Sequence, residues 1–202
     1  MATRTLVIAS GNSGKLAEFS EMLAPRGYKV RPQSDFDVQQ PPETGKTFIE
    51  NALIKARTAA EASGHAALGD DSGLVVRALN GKPGIYSARY AGSQASDDDN
   101  IDKLVAELDG LPEARRGAYF YCCLVLLRHA EDPAPLIATG HWHGYILESR
   151  CGEGGFGYDP VFYDRDMGAT AAELPAAEKN RVSHRGQALD ALMKMLDDLP
   201  GI

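Results

Sequence analysis

Two adjacent carboxylates, Asp70 and Asp71, are the first candidates for chemistry in this sequence. They lie between two apolar runs, residues 66–68 and 74–79, and are followed by serine and glycine. Aspartate, serine and glycine are common in turns, so the pattern predicts two short strands joined by a turn. Carboxylates so placed can hold a divalent cation or activate water, and an ordinary turn is the structural alternative.

A second candidate is a glycine-containing segment near the start of the chain. Residues 5–9 predict a buried strand, and apolar residues at helical spacing from Leu16 predict a helix. Backbone N–H groups and a lysine at such a junction form an anion site, and an ordinary strand–helix turn is the alternative. The P-loop pattern is not met, because it needs glycine at position 9 and a hydroxyl at position 16. The segment comprises Ser10, Gly11, Asn12, Ser13, Gly14 and Lys15.

A third candidate is a glycine-rich stretch, residues 152–160. It contains Phe156, Tyr158 and Asp159. An aromatic ring there can stack on a planar base while the carboxylate bonds to the edge of the base. A glycine-rich hairpin is the structural alternative.

The last predicted helix carries two basic residues at its start. Ser183 is predicted to cap this helix, so His184 and Arg185 fall in its first turn. A cation there opposes the helix dipole. Helix stability therefore offers no reason for Arg185, whereas function does.

The first half of the chain contains a further helix with a well-marked start. Thr47 and Glu50 form a capping box, after a polar loop that carries Glu43. Asn51 and Lys55 lie one helical turn apart, and we interpret them as part of a solvated face.

The second half predicts a helix capped by Ser96 and two long strands, residues 118–127 and 136–148, joined as an antiparallel hairpin. His141 and His143 fall on one face of the second strand. This spacing can bind a metal, but without a third ligand surface or packing histidines are the better interpretation.

Composition limits the classes of protein to which the chain can belong. The 202 residues are 44% hydrophobic, with no apolar run of membrane-spanning length, which predicts a soluble cytoplasmic protein without a membrane partner. The net charge of −7 argues against a nucleic-acid partner. The three cysteines, Cys122 and Cys123 side by side and Cys151 apart, indicate neither a disulfide framework nor a zinc site.

Six segments follow one another along the chain: Ser10–Lys15, Phe48–Ala52, Asp70–Leu74, Pro83–Tyr90, Gly155–Pro160 and Ser183–Gly186. Together they resemble the inosine/xanthosine triphosphate pyrophosphatases, most closely the bacterial branch. The resemblance extends from Leu6 to Leu196. Ser10 stands where many relatives have threonine, which retains the hydroxyl.

The resemblance implies a fold and a set of site residues. The fold is α/β, an elongated mixed sheet with flanking helices, in one domain over residues 1–202 whose two lobes hold the active site in the cleft between them. A homodimer is also implied. Asp71 is implied to be the catalytic base and a magnesium ligand. The implied substrate-binding residues are Ser10, Gly11, Asn12, Ser13, Gly14, Lys15, Ser72, Phe156, Gly157, Tyr158, Asp159, Lys179, His184 and Arg185.

The implied reaction cleanses the nucleotide pool by converting non-standard purine nucleoside triphosphates (ITP, dITP, XTP) to the monophosphate and pyrophosphate. Mg²⁺ and Lys15 would neutralise the triphosphate. Because Mg²⁺ keeps several waters, one or two carboxylates suffice, and Glu43 is the candidate for the second. Two alternatives remain open: a related nucleotide pyrophosphatase of different base preference, and a nucleotide-binding protein without turnover.

Overall fold

The structure is a computed structural model that describes residues 4–197. The strands in this range are β1 (Arg4–Ala9), β2 (Tyr28–Pro32), β3 (Ala67–Val76), β4 (Gly117–Leu127), β5 (Leu136–Ile146), β6 (Phe162–Asp164) and β7 (Ala169–Thr170). The α-helices are α1 (Ser13–Leu23), α2 (Phe48–Ser63), α3 (Asp97–Glu107), α4 (Ala176–Val182) and α5 (His184–Asp197).

The seven strands form one mixed sheet in the order β2-β1-β3-β4-β5-β6-β7. Strand β1 pairs in parallel with β2 and β3, whereas β6 pairs antiparallel with β5 and β7. The predicted α/β class with a mixed sheet and flanking helices is confirmed. None of the helices within residues 4–197 is long and apolar enough to cross a membrane.

The described chain divides into two compact units. The first unit contains residues 4–71, 122–140 and 185–197, and the second contains residues 72–121 and 141–184. Strands β3, β4 and β5 each contribute residues to both units. The cleft location of the active site, implied by the resemblance, remains a prediction.

Each unit has its own apolar core. In the first unit, Phe19 of α1 and Leu192 of α5 pack with β1 and β3 side chains such as Leu68. In the second unit, the core includes Leu104 of α3 and Phe162 of β6.

Several predicted helix starts are confirmed. Thr47 and Glu50 form the capping box of α2, and Ser96 and Asp99 form the one at α3. Strand β1, a short loop and α1 follow one another as predicted. The capping patterns were informative because they satisfy helix N–H groups locally, whatever the tertiary structure.

The carboxylate segment differs from the prediction. Residues 67–76 form one continuous strand, β3, and the predicted turn at Asp70 and Asp71 is wrong. Gly69 does not bend the chain; a Cβ there would lie 2.1 Å from the Ala52 carbonyl oxygen of α2. This glycine allows α2 to pack directly on β3. From sequence alone, a glycine with this packing role cannot be distinguished from a turn glycine.

Candidate active site

The segment from Ser10 to Lys15, which we call the phosphate-loop candidate, lies at the carboxyl end of β1. There, Ala9 is in register with Gly69 of β3. The Asn12 side chain caps α1 by accepting a hydrogen bond from the Lys15 N–H at 3.0 Å, and the Asn12 N–H donates to Ser10 Oγ at 3.1 Å. Residues 11–13 are exposed. The start of α1 is therefore an accessible helix N-terminus, which suits an anion.

Asp70 and Asp71 are consecutive residues of a strand, so their side chains project to opposite faces of the sheet. A turn would have allowed both to face one ligand. The strand instead gives each carboxylate its own surroundings, which we call the Asp70 face and the Asp71 face. Both residues are buried, at 1% and 5% exposure respectively.

On the Asp70 face, the carboxylate meets two cations. Asp70 Oδ2 lies 2.6 Å from Lys15 Nζ and 3.9 Å from Arg185 Nε. The Cys122 thiol donates to Asp70 Oδ1 at 3.3 Å. Burial opposes ionisation of Asp70, but the charges of Lys15 and Arg185 outweigh it and hold its pKa well below the ordinary range.

On the Asp71 face, one ammonium group is shared by two carboxylates. Lys55 Nζ lies 2.7 Å from Asp71 Oδ1 and 2.6 Å from Glu43 Oε1. Burial raises the pKa of Asp71 because only part of its charge is compensated: Lys55 lowers the pKa while Glu43 raises it further. Burial alone would lower the pKa of Lys55, but Asp71 and Glu43 raise it overall, so the ammonium stays charged.

Asn51 completes the Asp71 face. Its Nδ2 donates to Asp71 Oδ2 at 3.3 Å, and its Oδ1 accepts from the Gly45 N–H at 2.8 Å. A Cβ on Gly45 would lie 2.6 Å from that Oδ1. Asn51 therefore ties the loop that carries Glu43 to the strand that carries Asp71.

The interpretation of Asn51 and Lys55 as a solvated face is wrong, since both are buried against Asp71. Their spacing of four residues on α2 placed them side by side, as expected. The sequence did contain one indication of their burial. Asn51 directly precedes Ala52 and Lys55 directly precedes Ala56, and both alanines belong to the buried stripe of the same helix. Neither residue is among the predicted site residues.

The Asp71 face has the composition of a magnesium site. Within residues 4–197, no group of three or more His, Cys, Asp or Glu side chains is arranged to hold a metal ion. Asp71 and Glu43 nevertheless present two carboxylates that share the Lys55 ammonium. Mg²⁺ needs only one or two carboxylates because it retains water, and these residues fit it.

The glycine-rich stretch of the second unit brings three predicted residues together. Lys179 Nζ lies 2.6 Å from Asp159 Oδ2 and 4.9 Å from the centre of the Phe156 ring. The Phe156 N–H also donates to Asp159 Oδ2, at 2.9 Å. A Cβ on Gly155 would lie 2.0 Å from that oxygen, so the glycine is required for this contact.

The remaining predicted residues of the second unit have different surroundings. Tyr158 is buried, and its hydroxyl donates to the Ser87 carbonyl at 2.8 Å, so this ring serves the core. Gly157 is partly buried and donates its N–H to Asp97 at 2.7 Å. Ser72 is partly buried on β3. Of the two aromatic residues proposed for stacking on a base, Phe156 is the accessible one.

His184 and Arg185 begin α5, directly after Ser183, as predicted. The His184 ring stacks on Phe120, with centroids 4.8 Å apart. Arg185 pairs with Glu18 of α1 and is 2% exposed. Two carboxylates, the buried Asp70 and the partly buried Glu18, compensate this cation, so its position has a structural reason as well; its functional role remains a prediction.

The two histidines of β5, His141 and His143, are exposed, and their rings stack with centroids 6.3 Å apart. The Tyr119 ring lies beside both, at 5.7 and 5.6 Å. These contacts agree with the interpretation of surface and packing histidines.

Comparisons with known proteins show the family of this chain. Residues 6–195 match the Ham1 family. A dITP/XTP pyrophosphatase from Chromobacterium violaceum is 57% identical over 194 residues, covering 96% of this chain and 98% of that protein. A dITP/XTP pyrophosphatase from Yersinia pseudotuberculosis is 54% identical over 193 residues, with the same coverage. A solved HAM1 protein from Coxiella burnetii is 48% identical, with a TM-score of 0.89 over 97% of this chain and 100% of that one. The chain belongs to the Ham1 family.

Proposed function

We propose that this protein is a magnesium-dependent nucleoside-triphosphate pyrophosphohydrolase that converts ITP, dITP and XTP to the monophosphate and pyrophosphate. The observation that carries the proposal is the Asp71 face, where a buried carboxylate with a raised pKa shares one lysine with Glu43. The names of relatives at 54% and 57% identity support the substrate class.

The triphosphate binds, in this proposal, to the segment from Ser10 to Lys15. The exposed N–H groups at the start of α1 and the Lys15 ammonium supply donors to phosphate oxygens. Lysine acts there as a point charge, so this segment contributes affinity for any triphosphate and little selectivity between bases.

Asp71 and Glu43 would hold Mg²⁺, which when bound supplies charge neutralisation of the phosphates. Asp71 orients the attacking water and accepts its proton. Lys55 and Asn51 fix the position of the Asp71 carboxylate through contacts at 2.7 and 3.3 Å. A carboxylate held in this way is preorganised for the reaction.

The nucleoside is recognised, in this proposal, by Ser72, the segment from Phe156 to Asp159, Lys179, His184 and Arg185. Phe156 stacks on the base, and Asp159 accepts from donors on its edge. His184 and Arg185 donate to the oxygen at ring position 6, which hypoxanthine and xanthine have and adenine lacks. We further propose a homodimer; a cytoplasmic location remains a prediction.

The test is a panel of nucleoside triphosphates assayed with and without Mg²⁺, with pyrophosphate and orthophosphate measured separately. We expect pyrophosphate from ITP, dITP and XTP and little from ATP. Turnover confined to pyrimidine or methylated nucleotides would favour the alternative base preference. Binding without release of either phosphate product would instead indicate a nucleotide-binding protein without turnover.

A further inference from the structure

The Asp70 face carries a row of four alternating charges, which we call the charge row: Glu18, Arg185, Asp70 and Lys15. Arg185 pairs with Glu18 and lies 3.9 Å from Asp70, which in turn lies 2.6 Å from Lys15. The Asp70 and Arg185 side chains are almost completely buried, whereas the Lys15 side chain is 16% exposed. The charge row therefore has a buried centre, Arg185 and Asp70, between two partly exposed ends, and Lys15 places one end at the phosphate-loop candidate.

Among the four members of this row, Asp70 is the one that lies on a strand. It belongs to the middle of β3, and its other carboxylate oxygen accepts from the Cys122 thiol. Lys15, in contrast, is a long side chain in the first turn of α1. Without the carboxylate between them, the Lys15 and Arg185 cations would repel each other in a buried environment, where such repulsion is strong.

We infer that Asp70 is a positioning residue for substrate binding: its carboxylate holds Lys15 at the phosphate loop and keeps Arg185 in place. The inference rests on the proposed function for the roles of Lys15 and Arg185. A lysine that is already ordered has less conformational freedom to lose when a phosphate binds. Asp70 therefore acts on affinity, whereas Asp71 acts on the chemical step.

The first test compares Asp70→Asn with wild type, using ITP for kinetics and inorganic tripolyphosphate for binding by calorimetry. Truncating one partner of a buried charge pair is costly, so we expect the KM for ITP and the Kd for tripolyphosphate to rise about tenfold or more, with kcat largely retained. Asp190→Asn is the matched control: it makes the same change in an exposed ion pair of α5, and both constants should stay at wild-type values.

The second test is a double-mutant cycle with Lys15. If Asp70 acts through Lys15, Asp70→Asn should add little to the rise in KM already caused by Lys15→Ala. Effects that simply multiply would overturn the inference. A loss of kcat in Asp70→Asn as large as that in Asp71→Asn, with KM unchanged, would also overturn it.

A third variant covers the case in which Asp70→Asn does not fold. Lys15→Arg keeps the charge but replaces a compact ammonium with a larger planar guanidinium, which changes the geometry of the pair with Asp70. We expect this variant to raise the tripolyphosphate Kd severalfold, and a wild-type Kd would contradict the inference. Tripolyphosphate binding needs no turnover, so absence of pyrophosphate release from ITP by wild type would count against the proposed function alone.

Discussion

Asp70 and Asp71 are neighbours of the same type on one strand, yet the two faces of β3 give them opposite properties. On the Asp70 face, the two carboxylates of Asp70 and Glu18 meet two cations, and the pKa of Asp70 is lowered. On the Asp71 face, two carboxylates meet the single cation of Lys55, and the pKa of Asp71 is raised. Burial acts in the same direction on both, so the balance of neighbouring charges makes the difference.

The difference indicates how a buried carboxylate is assigned to structure or to chemistry. The Asp70 face, where two carboxylates meet two cations, needs no further ion and is suited to holding side chains in place. On the Asp71 face, two carboxylates share the Lys55 ammonium and the pKa of Asp71 is raised, so we propose that this face holds a cation such as Mg²⁺ and supplies the base. Each of the following predictions tests one side of this comparison.

The largest expected effect is that of Asp71→Asn. Loss of a general base alone reduces kcat by about 10²- to 10⁴-fold, and weaker magnesium binding adds to the loss. The measurement is kcat for ITP across a magnesium titration, with thermal unfolding as the check on folding. Near-normal activity with an unchanged magnesium requirement would remove Asp71 from its role.

Lys55→Met tests the charge balance of the Asp71 face, and the quantity measured is the free energy of unfolding. Removal of the Lys55 ammonium leaves the buried Asp71 carboxylate facing the partly buried Glu43, which we expect to lower the free energy of unfolding by about 3–5 kcal/mol in metal-free buffer. Because Mg²⁺ would take over the compensation, the variant should regain stability on adding the ion. Arg181→Met, in an exposed ion pair, is the control and should show little change. A mild effect in Lys55→Met without response to Mg²⁺ would contradict the interpretation.

Lys15→Ala tests the phosphate loop. We expect the KM for ITP to rise by about ten- to a hundredfold, because a charged hydrogen bond to phosphate is lost. The exposed lysine of β2, Lys29, provides the control: Lys29→Ala should leave the KM unchanged. If the KM stayed level in Lys15→Ala for every triphosphate tested, the segment would be a plain strand–helix turn.

The last prediction concerns base selectivity. Arg185→Ala, assayed with ITP and ATP side by side, should lose about 5- to 150-fold on ITP and less on ATP, so selectivity shrinks. Glu18→Gln removes a partner of Arg185 and keeps the guanidinium, so it should reduce selectivity less. An equal loss on both nucleotides would place Arg185 on phosphate or ribose, with the ring recognised by other groups.

Local signals predicted much of the fold. Capping boxes at Thr47 and Ser96 and the apolar run of β1 identified elements correctly, because the interactions concerned lie within a few residues. The continuity of β3 was not predictable, since Gly69 is required by contact with α2, a feature of tertiary packing.

The candidate site was predicted only in part, because some of its contacts depend on tertiary packing. The residues of the phosphate loop and the carboxylates were recognised by their chemistry. Lys55 and Asn51 were not predicted, because a polar pair on a helix usually faces solvent. In the structure both side chains instead contact Asp71 of β3. The separation of Asp70 from Asp71 likewise depends on the strand.

The most direct test of the account is the release of pyrophosphate from ITP with saturating Mg²⁺ by wild type, Asp70→Asn and Asp71→Asn, measured at saturating and at limiting ITP. The account predicts that kcat falls by about 10²-fold or more only in Asp71→Asn, whereas Asp70→Asn loses activity mainly at limiting ITP. Equal losses of kcat in both variants, or a larger loss in Asp70→Asn, would contradict the assignment of chemistry to the Asp71 face.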